Sequence, residues 1–151
     1  MPLLLILEDA VAELRTVVAL ARRSGFDEFE ICQRVVEARV YLEQTIPGKV
    51  PQPAALFIDL DRGIDAGCEV LRFRNSRPSL KAIPAVIWTL LRHHEREICK
   101  SFGAVSFVCK DDDPNVLIGE LASILQNFRE AGAVDPAASL GSKPLAIADV
   151  S

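Results

Sequence analysis

The chain has 151 residues, of which half are hydrophobic and a quarter are charged, and its net charge is −4 at pH 7. This length fits a single domain with a full hydrophobic core, and the composition is that of a globular protein. The negative net charge gives no electrostatic basis for binding nucleic acid or an anionic membrane. No apolar run is long enough to predict a membrane-spanning helix.

The cysteines, the histidines and the N-terminal run argue against a zinc site, disulfide bonds and a signal peptide. The four cysteines form no Cys-x-x-Cys pair and the two histidines are adjacent, which argues against a zinc site and favours reduced thiols. The N-terminal apolar run has no basic residues before it and acids follow it at once, so it does not fit a signal peptide. We therefore expect a soluble cytoplasmic protein.

Short apolar runs alternate with helical patterns along the chain, which is typical of βα units around a parallel sheet. The predicted strands are residues 2–7, 28–32 (a weak edge strand), 54–59, 84–89 and 105–110. The predicted helices are residues 10–24, 35–43, 66–77, 92–102 and 114–128, the last with Asp113 as its N-cap and Pro114 as its first residue. Residues 131–151 lack periodicity and predict a disordered tail, which leaves residues 1–130 as the folded domain.

Charged and polar residues stand at the carboxyl ends of four predicted strands. Glu8 and Asp9 follow the first strand, Asp59 ends the third, and Thr89 and Lys110 end the fourth and fifth. In an open parallel sheet these ends meet in one crevice. The combination suits a hard cation and a phosphoryl group. Three carboxylates in one cleft repel one another, so without a cation the pKa of at least one should be raised.

The runs that carry these residues resemble the receiver domain of two-component response regulators. The resemblance covers about residues 3 to 130 in unbroken order. The matching motifs are residues 5–9, 57–60, 67–71, 83–89 and 103–110. The resemblance implies a flavodoxin-like (βα)5 fold, a doubly wound parallel α/β sheet with strand order 2-1-3-4-5. It also implies a stand-alone, CheY-like phosphoacceptor, which takes a phosphoryl group from a histidine kinase or phosphotransfer protein and is not otherwise an enzyme.

The resemblance implies a role for each acidic residue. Asp59 is the phosphoacceptor, Asp9 binds Mg²⁺ directly, and Glu8 acts on the metal mostly through water. The backbone carbonyl of Asp61 completes the metal shell. Its carboxylate is not needed for that, and fits a solvated surface group equally well. From the residues alone, Glu8 and Asp9 also fit solvated acids in the first turn of a helix.

The switch residues are implied in the same way. Thr89 and Lys110 bind the phosphoryl group, and Phe107 matches the aromatic residue that rotates into the space that Thr89 leaves. A core aromatic explains Phe107 equally well. Leu90 stands where receivers have a small residue. We therefore expect its side chain to cover part of the water channel and to prolong the life of the phosphoryl group.

Two further departures from the receiver pattern concern loops beside the site. Asp111 follows Lys110 in place of the usual proline. A cis bond before a residue other than proline costs about 2.5–4 kcal/mol, so a trans linkage could point Lys110 in another direction. Gly63 replaces another usual proline, which predicts a looser loop after Asp59.

Two other functions remain open at this stage. A pseudo-receiver would bind partners without phosphorylation, and the Lys110–Asp111 linkage favours it. A haloacid-dehalogenase-like phosphatase would use residues 57–61 as its Asp-x-Asp motif, but that family carries the motif on its first strand. The sequence identifies neither the kinase nor the downstream protein partner. In receivers the fourth helix, fifth strand and fifth helix carry that recognition, and homodimerisation through the same face is also left open.

Overall fold

The computed structural model of the chain describes residues 2–61, 63–90, 93–103 and 105–133. Strands and helices alternate through these ranges. The strands are β1 (Leu3–Leu7), β2 (Glu28–Cys32), β3 (Ala55–Asp59), β4 (Ala85–Thr89) and β5 (Val105–Cys109). The helices are α1 (Val11–Ser24), α2 (Val35–Thr45), α3 (Ile64–Asn75), α4 (His93–Lys100) and α5 (Pro114–Ala133). Arg92, the predicted start of the fourth helix, and the predicted tail from residue 134 lie outside the described residues.

The strands form one parallel sheet in the order β2-β1-β3-β4-β5, which confirms the predicted flavodoxin-like fold. Successive side chains of a strand point to opposite faces, and both faces are covered. Leu5 of β1 and Ile58 of β3 join the core under α2 and α3, whereas Ile6 and Phe57 join the core under α1 and α5. Burial on both faces explains why β1 and β3 are continuous apolar runs in the sequence. No helix within the described residues is both long and apolar enough to cross a bilayer.

Several helix ends differ from the sequence prediction by two or more residues, and two of these differences have a local explanation. Helix α3 begins at Ile64, two residues before the predicted start at Ala66, because Gly63 adopts a positive φ of 148° and starts the helix directly after the loop. Helix α5 continues to Ala133, past the predicted end at Phe128. The added residues are mostly strong helix formers, so three residues assigned to the tail, 131–133, are helical.

The start of α5 agrees with the prediction. The Asp113 carboxylate accepts a hydrogen bond from the backbone N–H of Asn115 at 2.8 Å. This contact satisfies one of the donors that the first turn of a helix leaves unpaired. Asp113 is therefore the N-cap, as expected, and its carboxylate is engaged outside the cluster at the strand ends.

A fully buried arginine fixes the amino ends of β4 and β5. The Arg74 guanidinium donates to the carbonyl oxygens of Ile83 at 3.0 Å, Phe102 at 3.0 Å and Gly103 at 2.6 Å. Ile83 precedes β4, and the other two carbonyls precede β5. Helix α3 is thereby tied to the two strands whose opposite ends carry Thr89 and Lys110. The sequence analysis missed this role.

Gly67 permits the close approach of α3 to the end of β3. A Cβ atom at this position would overlap the side chain of Leu60 and lie 3.3 Å from the Cγ2 atom of Ile58. Leu60 lies between Asp59 and Asp61 in the chain. The absence of a side chain at Gly67 therefore determines how the loop after β3 sits on the sheet.

We predict that Gly67→Ala lowers the free energy of unfolding by about 1–3 kcal/mol, the usual cost of overpacking a core. Urea denaturation measures this difference. Gly119→Ala in α5 is the matched control, because nothing lies within 4 Å of its added Cβ. The control should be neutral or stabilising by up to about 1 kcal/mol, the advantage of alanine over glycine in a helix. Equal effects of the two substitutions would contradict the packing argument.

Candidate functional site

The strand ends bring the predicted residues together. Parallel pairing places Asp59 of β3 opposite Trp88 of β4, and Thr89 opposite Cys109 of β5. The backbone N–H of Lys110 continues this pairing by donating to the carbonyl oxygen of Thr89 at 3.2 Å. The polar side chains therefore share the carboxyl edge of the sheet, where the sequence analysis expects them.

The Lys110 ammonium is bound by three carboxylates. Its Nζ atom lies 2.6 Å from Glu13 Oε1, 2.9 Å from Asp59 Oδ2 and 2.8 Å from Asp61 Oδ2. Burial acts to lower the pKa of Lys110, but the hydrogen bonds to Asp61, Glu13 and Asp59 outweigh it and hold the pKa well above its usual value. Lys110 points into the site, so the different direction that a trans linkage to Asp111 could cause is not seen.

Asp59 is held in a fixed orientation. The residue is 3% exposed, and both carboxylate oxygens accept hydrogen bonds. Oδ1 accepts from the backbone N–H of Asp61 at 2.9 Å, and Oδ2 accepts from the Lys110 ammonium. Charge-assisted hydrogen bonds of this kind stabilise an ionised carboxylate and fix its direction.

Glu8 is fully buried, and only one of its two carboxylate oxygens has hydrogen-bond partners among the described residues. Its Oε2 atom accepts from the backbone N–H groups of Asp9 and Ala10, each at 3.0 Å. Its Oε1 atom is buried with no hydrogen-bond partner among the described residues. Burial, and then the neighbouring carboxylate of Asp59, raise the pKa of Glu8 to about 7. The predicted raised pKa is thus confirmed, although burial contributes more than repulsion.

Three carboxylates form a group that fits a metal ion. One oxygen each from Glu8, Glu13 and Asp59 lies within 4.8 Å of the others. The unpartnered Oε1 of Glu8 supports a cation at this position, because a buried carboxylate oxygen without a partner is costly. Asp9, which the resemblance assigns as a direct ligand, is exposed and is not a member of this group.

The sequence analysis missed Glu13. The residue lies in the first turn of α1, four positions after Asp9. Because a helix that follows β1 turns its first-turn side chains back over the end of the sheet, the first-turn position of Glu13 was the available signal. Glu13 belongs to the site both through Lys110 and through the carboxylate group.

The carboxylate of Asp61 lies inside the site. It accepts hydrogen bonds from Thr89 Oγ1 at 2.8 Å, from the backbone N–H of Leu90 at 3.0 Å and from Lys110 Nζ. Burial acts to raise the pKa of Asp61, but the hydrogen bonds from Lys110, Leu90 and Thr89 outweigh it and leave the pKa below its usual value. Asp61 is exposed, as the surface alternative expected, but its carboxylate is also bound by three donors of the site.

Phe107 lines a small cavity together with Thr89, and Leu90 follows Thr89 in the chain. The Phe107 ring is half-buried against the core, and the Arg96 guanidinium lies 5.2 Å from its centre. Leu90 is 55% exposed, so it is not a core residue. The switch role of Phe107 and the gating role of Leu90 stay predictions, and the exposure of Leu90 meets the condition that gating requires.

No family model matches the chain, and no curated protein matches it. Solved structures do match. The chain is 25% identical to the Mn²⁺-bound form of response regulator Rcp1, with a TM-score of 0.64 over 82% of this chain and 91% of that chain. It is 25% identical to a sensor protein from Polaromonas sp. JS666, with a TM-score of 0.66 over 84% and 98%. It is 18% identical to the Vibrio cholerae chemotaxis protein CheY4, with a TM-score of 0.68 over 82% and 98%. The structural neighbours include response-regulator receiver domains, and the chain has their fold, as the resemblance predicts.

Proposed function

We propose that this protein is a cytoplasmic response-regulator receiver in which Asp59 accepts a phosphoryl group from a histidine kinase or phosphotransfer protein in a Mg²⁺-dependent reaction. One observation carries the proposal. The buried Asp59 carboxylate is held at 2.9 Å by the Lys110 ammonium, with the Thr89 hydroxyl and the Leu90 N–H at the same strand ends. A fixed carboxylate beside a set of anion-binding donors is what phosphoryl transfer to aspartate requires.

The chain's own residues would perform the transfer by positioning and charge. A carboxylate oxygen of Asp59 attacks phosphorus in line, and a P–O bond forms as the bond between phosphorus and the donor's histidine nitrogen breaks. The Lys110 ammonium, the Thr89 hydroxyl and the Leu90 N–H donate to the equatorial oxygens of the transferred group. The strand ends fix the backbone positions of these donors, which limits the reorganisation that the reaction requires.

Mg²⁺ is the cation that we propose for the carboxylate group. Glu8, Glu13 and Asp59 would hold it, and the resemblance adds Asp9 and the backbone carbonyl of Asp61 as ligands. Mg²⁺ prefers oxygen ligands, and when bound it neutralises charge on phosphoryl oxygens. The site carries an excess of carboxylates over ammonium groups, which favours a divalent cation.

Signalling would follow from a change at the surface. A phosphoryl group that draws Thr89 inward, and Phe107 after it, would alter the face formed by α4, β5 and α5. We propose that a downstream protein partner reads this face, and homodimerisation through it is an alternative use.

The two competing functions have weaker support. The pseudo-receiver relied on a misdirected Lys110, but its ammonium lies 2.9 Å from Asp59. The dehalogenase-like phosphatase requires its motif on the first strand, but Asp59 ends β3, the third strand in chain order. That phosphatase also gives no role to the buried Glu8.

Acetyl phosphate with Mg²⁺ should add one phosphoryl group to the protein, and hydroxylamine should remove it, because an acyl phosphate is labile to this nucleophile. Intact-protein mass spectrometry measures both steps. Asp59→Asn should abolish the labelling, because an amide oxygen is a poor nucleophile. Asp65→Asn, which removes an exposed carboxylate in the first turn of α3, is the control and should be labelled like the wild type. Label on Asp59→Asn would contradict the assignment, and an unlabelled wild type would favour the pseudo-receiver.

Mg²⁺ should raise the melting temperature, because a ligand that binds only the folded state stabilises it by mass action. Glu13→Gln and Asp9→Ala should each reduce this rise, the first because Glu13 belongs to the carboxylate group and the second because the resemblance makes Asp9 a direct ligand. Asp111→Asn is the control, since Asp111 is exposed and follows the site lysine in the chain. A shift that Asp111→Asn reduces as strongly as Glu13→Gln would indicate nonspecific screening of charge and would contradict a specific site.

A further inference from the structure

We propose that the Asp61 carboxylate occupies the phosphoryl-binding position of the unphosphorylated protein and has to leave it before a phosphoryl group can be bound there. This inference rests on the proposed function of Asp59. We define the anion cradle as the three donors Thr89 Oγ1, the Leu90 N–H and Lys110 Nζ. It is the set of donors that the proposed transfer requires.

The contacts of Asp61 are those of an anion bound in this cradle. Its Oδ1 atom accepts from Thr89 at 2.8 Å and from the Leu90 N–H at 3.0 Å, and its Oδ2 atom lies 2.8 Å from Lys110 Nζ. The donors come from the ends of two adjacent strands, β4 and β5, and all three converge on one carboxylate. Asp61 therefore uses every member of the cradle at once.

The donors cannot serve Asp61 and a phosphoryl group together. A hydroxyl and an amide N–H each have one proton to donate, and an ammonium has three. The protons of Lys110 are directed to Glu13, Asp59 and Asp61. A phosphoryl group on Asp59 that needs these donors must displace one of their present acceptors, and Asp61 is the acceptor that all three share.

Asp61 can leave without disturbing the fold. Its side chain is 28% exposed, so rotation about its side-chain torsions brings the carboxylate into water. The backbone N–H of Asp61 holds Asp59 Oδ1 at 2.9 Å, a contact that does not depend on the direction of the Asp61 side chain. The carboxylate also carries less charge than a phosphoryl group, so the stronger anion can displace it. An anion therefore binds in the cradle only if it binds these donors more strongly than the Asp61 carboxylate does.

Beryllofluoride, an analogue of a phosphoryl group on a carboxylate, tests this competition in the presence of Mg²⁺. The one tryptophan of the chain, Trp88, reports binding by fluorescence, because the Lys110 ammonium lies 4.7 Å from the centre of its ring. Asp61→Asn removes the competing charge and should bind beryllofluoride at least about tenfold more tightly than the wild type, since like charges at contact distance repel strongly. Asp65→Asn is the matched control and should bind like the wild type.

A second measurement tests the contact directly in metal-free protein. The backbone amide proton of Leu90 donates to a charged acceptor in the wild type, and Asp61→Ala removes that acceptor. The Leu90 proton resonance should therefore move upfield in Asp61→Ala, and should stay in place in Asp65→Asn. A Leu90 resonance that does not respond to Asp61→Ala would overturn the inference whatever the phosphoryl chemistry of the protein.

The outcomes separate this inference from the proposed function. If Asp61→Asn binds beryllofluoride no more tightly than the wild type while acetyl phosphate still labels Asp59, the inference is wrong and the proposed function stands. If no variant binds beryllofluoride and none is labelled, the proposed function is wrong, and the inference is overturned with it. Tighter binding by Asp61→Asn together with the shift of the Leu90 resonance supports both.

Discussion

The contact between the Lys110 ammonium and three carboxylates is the interaction on which the rest of the site depends. It joins Glu13 on α1, Asp59 at the end of β3 and Asp61 in the loop that follows. The Asp59 side chain is only 1% exposed, and a buried carboxylate is tolerated when a cation and hydrogen bonds compensate it. The sheet and the buried Arg74 support this contact, because they fix the strands that deliver Lys110 and its partners.

Negative charge in excess of this one ammonium shapes the chemistry of the site. Burial raises the pKa of Glu8 to about 7, so that in the absence of a cation this carboxylate takes up a proton more readily than an exposed one. A divalent cation would relieve the same excess in another way. The negative charge of Asp61 is stabilised in a third way, by hydrogen bonds from the donors that the proposed reaction requires for a phosphoryl group. The carboxylates of the site therefore share a small number of hydrogen-bond donors and one ammonium group.

Much of this arrangement could be predicted from the sequence. The positions of Asp59 and Glu8 at strand ends follow from local apolar runs, and the meeting of those ends follows from the topology of parallel sheets. Other parts could not be predicted in this way. The direction of the Asp61 carboxylate depends on a side-chain torsion that no local pattern specifies. Arg74 bonds carbonyl groups up to 29 residues away in the chain, and only the folded packing brings them together. Glu13 lay between these cases, because its position in the first turn of the helix after β1 could have indicated it.

The most direct test of the central contact is the stability of Lys110→Met, measured by urea denaturation in the presence of a metal chelator. The substitution keeps most of the aliphatic stem and removes the charge. Asp59 would then be a buried carboxylate without its cation, so the free energy of unfolding should fall by about 3–5 kcal/mol. Adding Asp59→Asn to the same protein should recover most of the lost free energy of unfolding, because the buried charge is then absent. A Lys110→Met protein within about 0.5 kcal/mol of the wild type, the range of ordinary surface substitutions, would contradict the account. A double variant no more stable than Lys110→Met alone would contradict it as well.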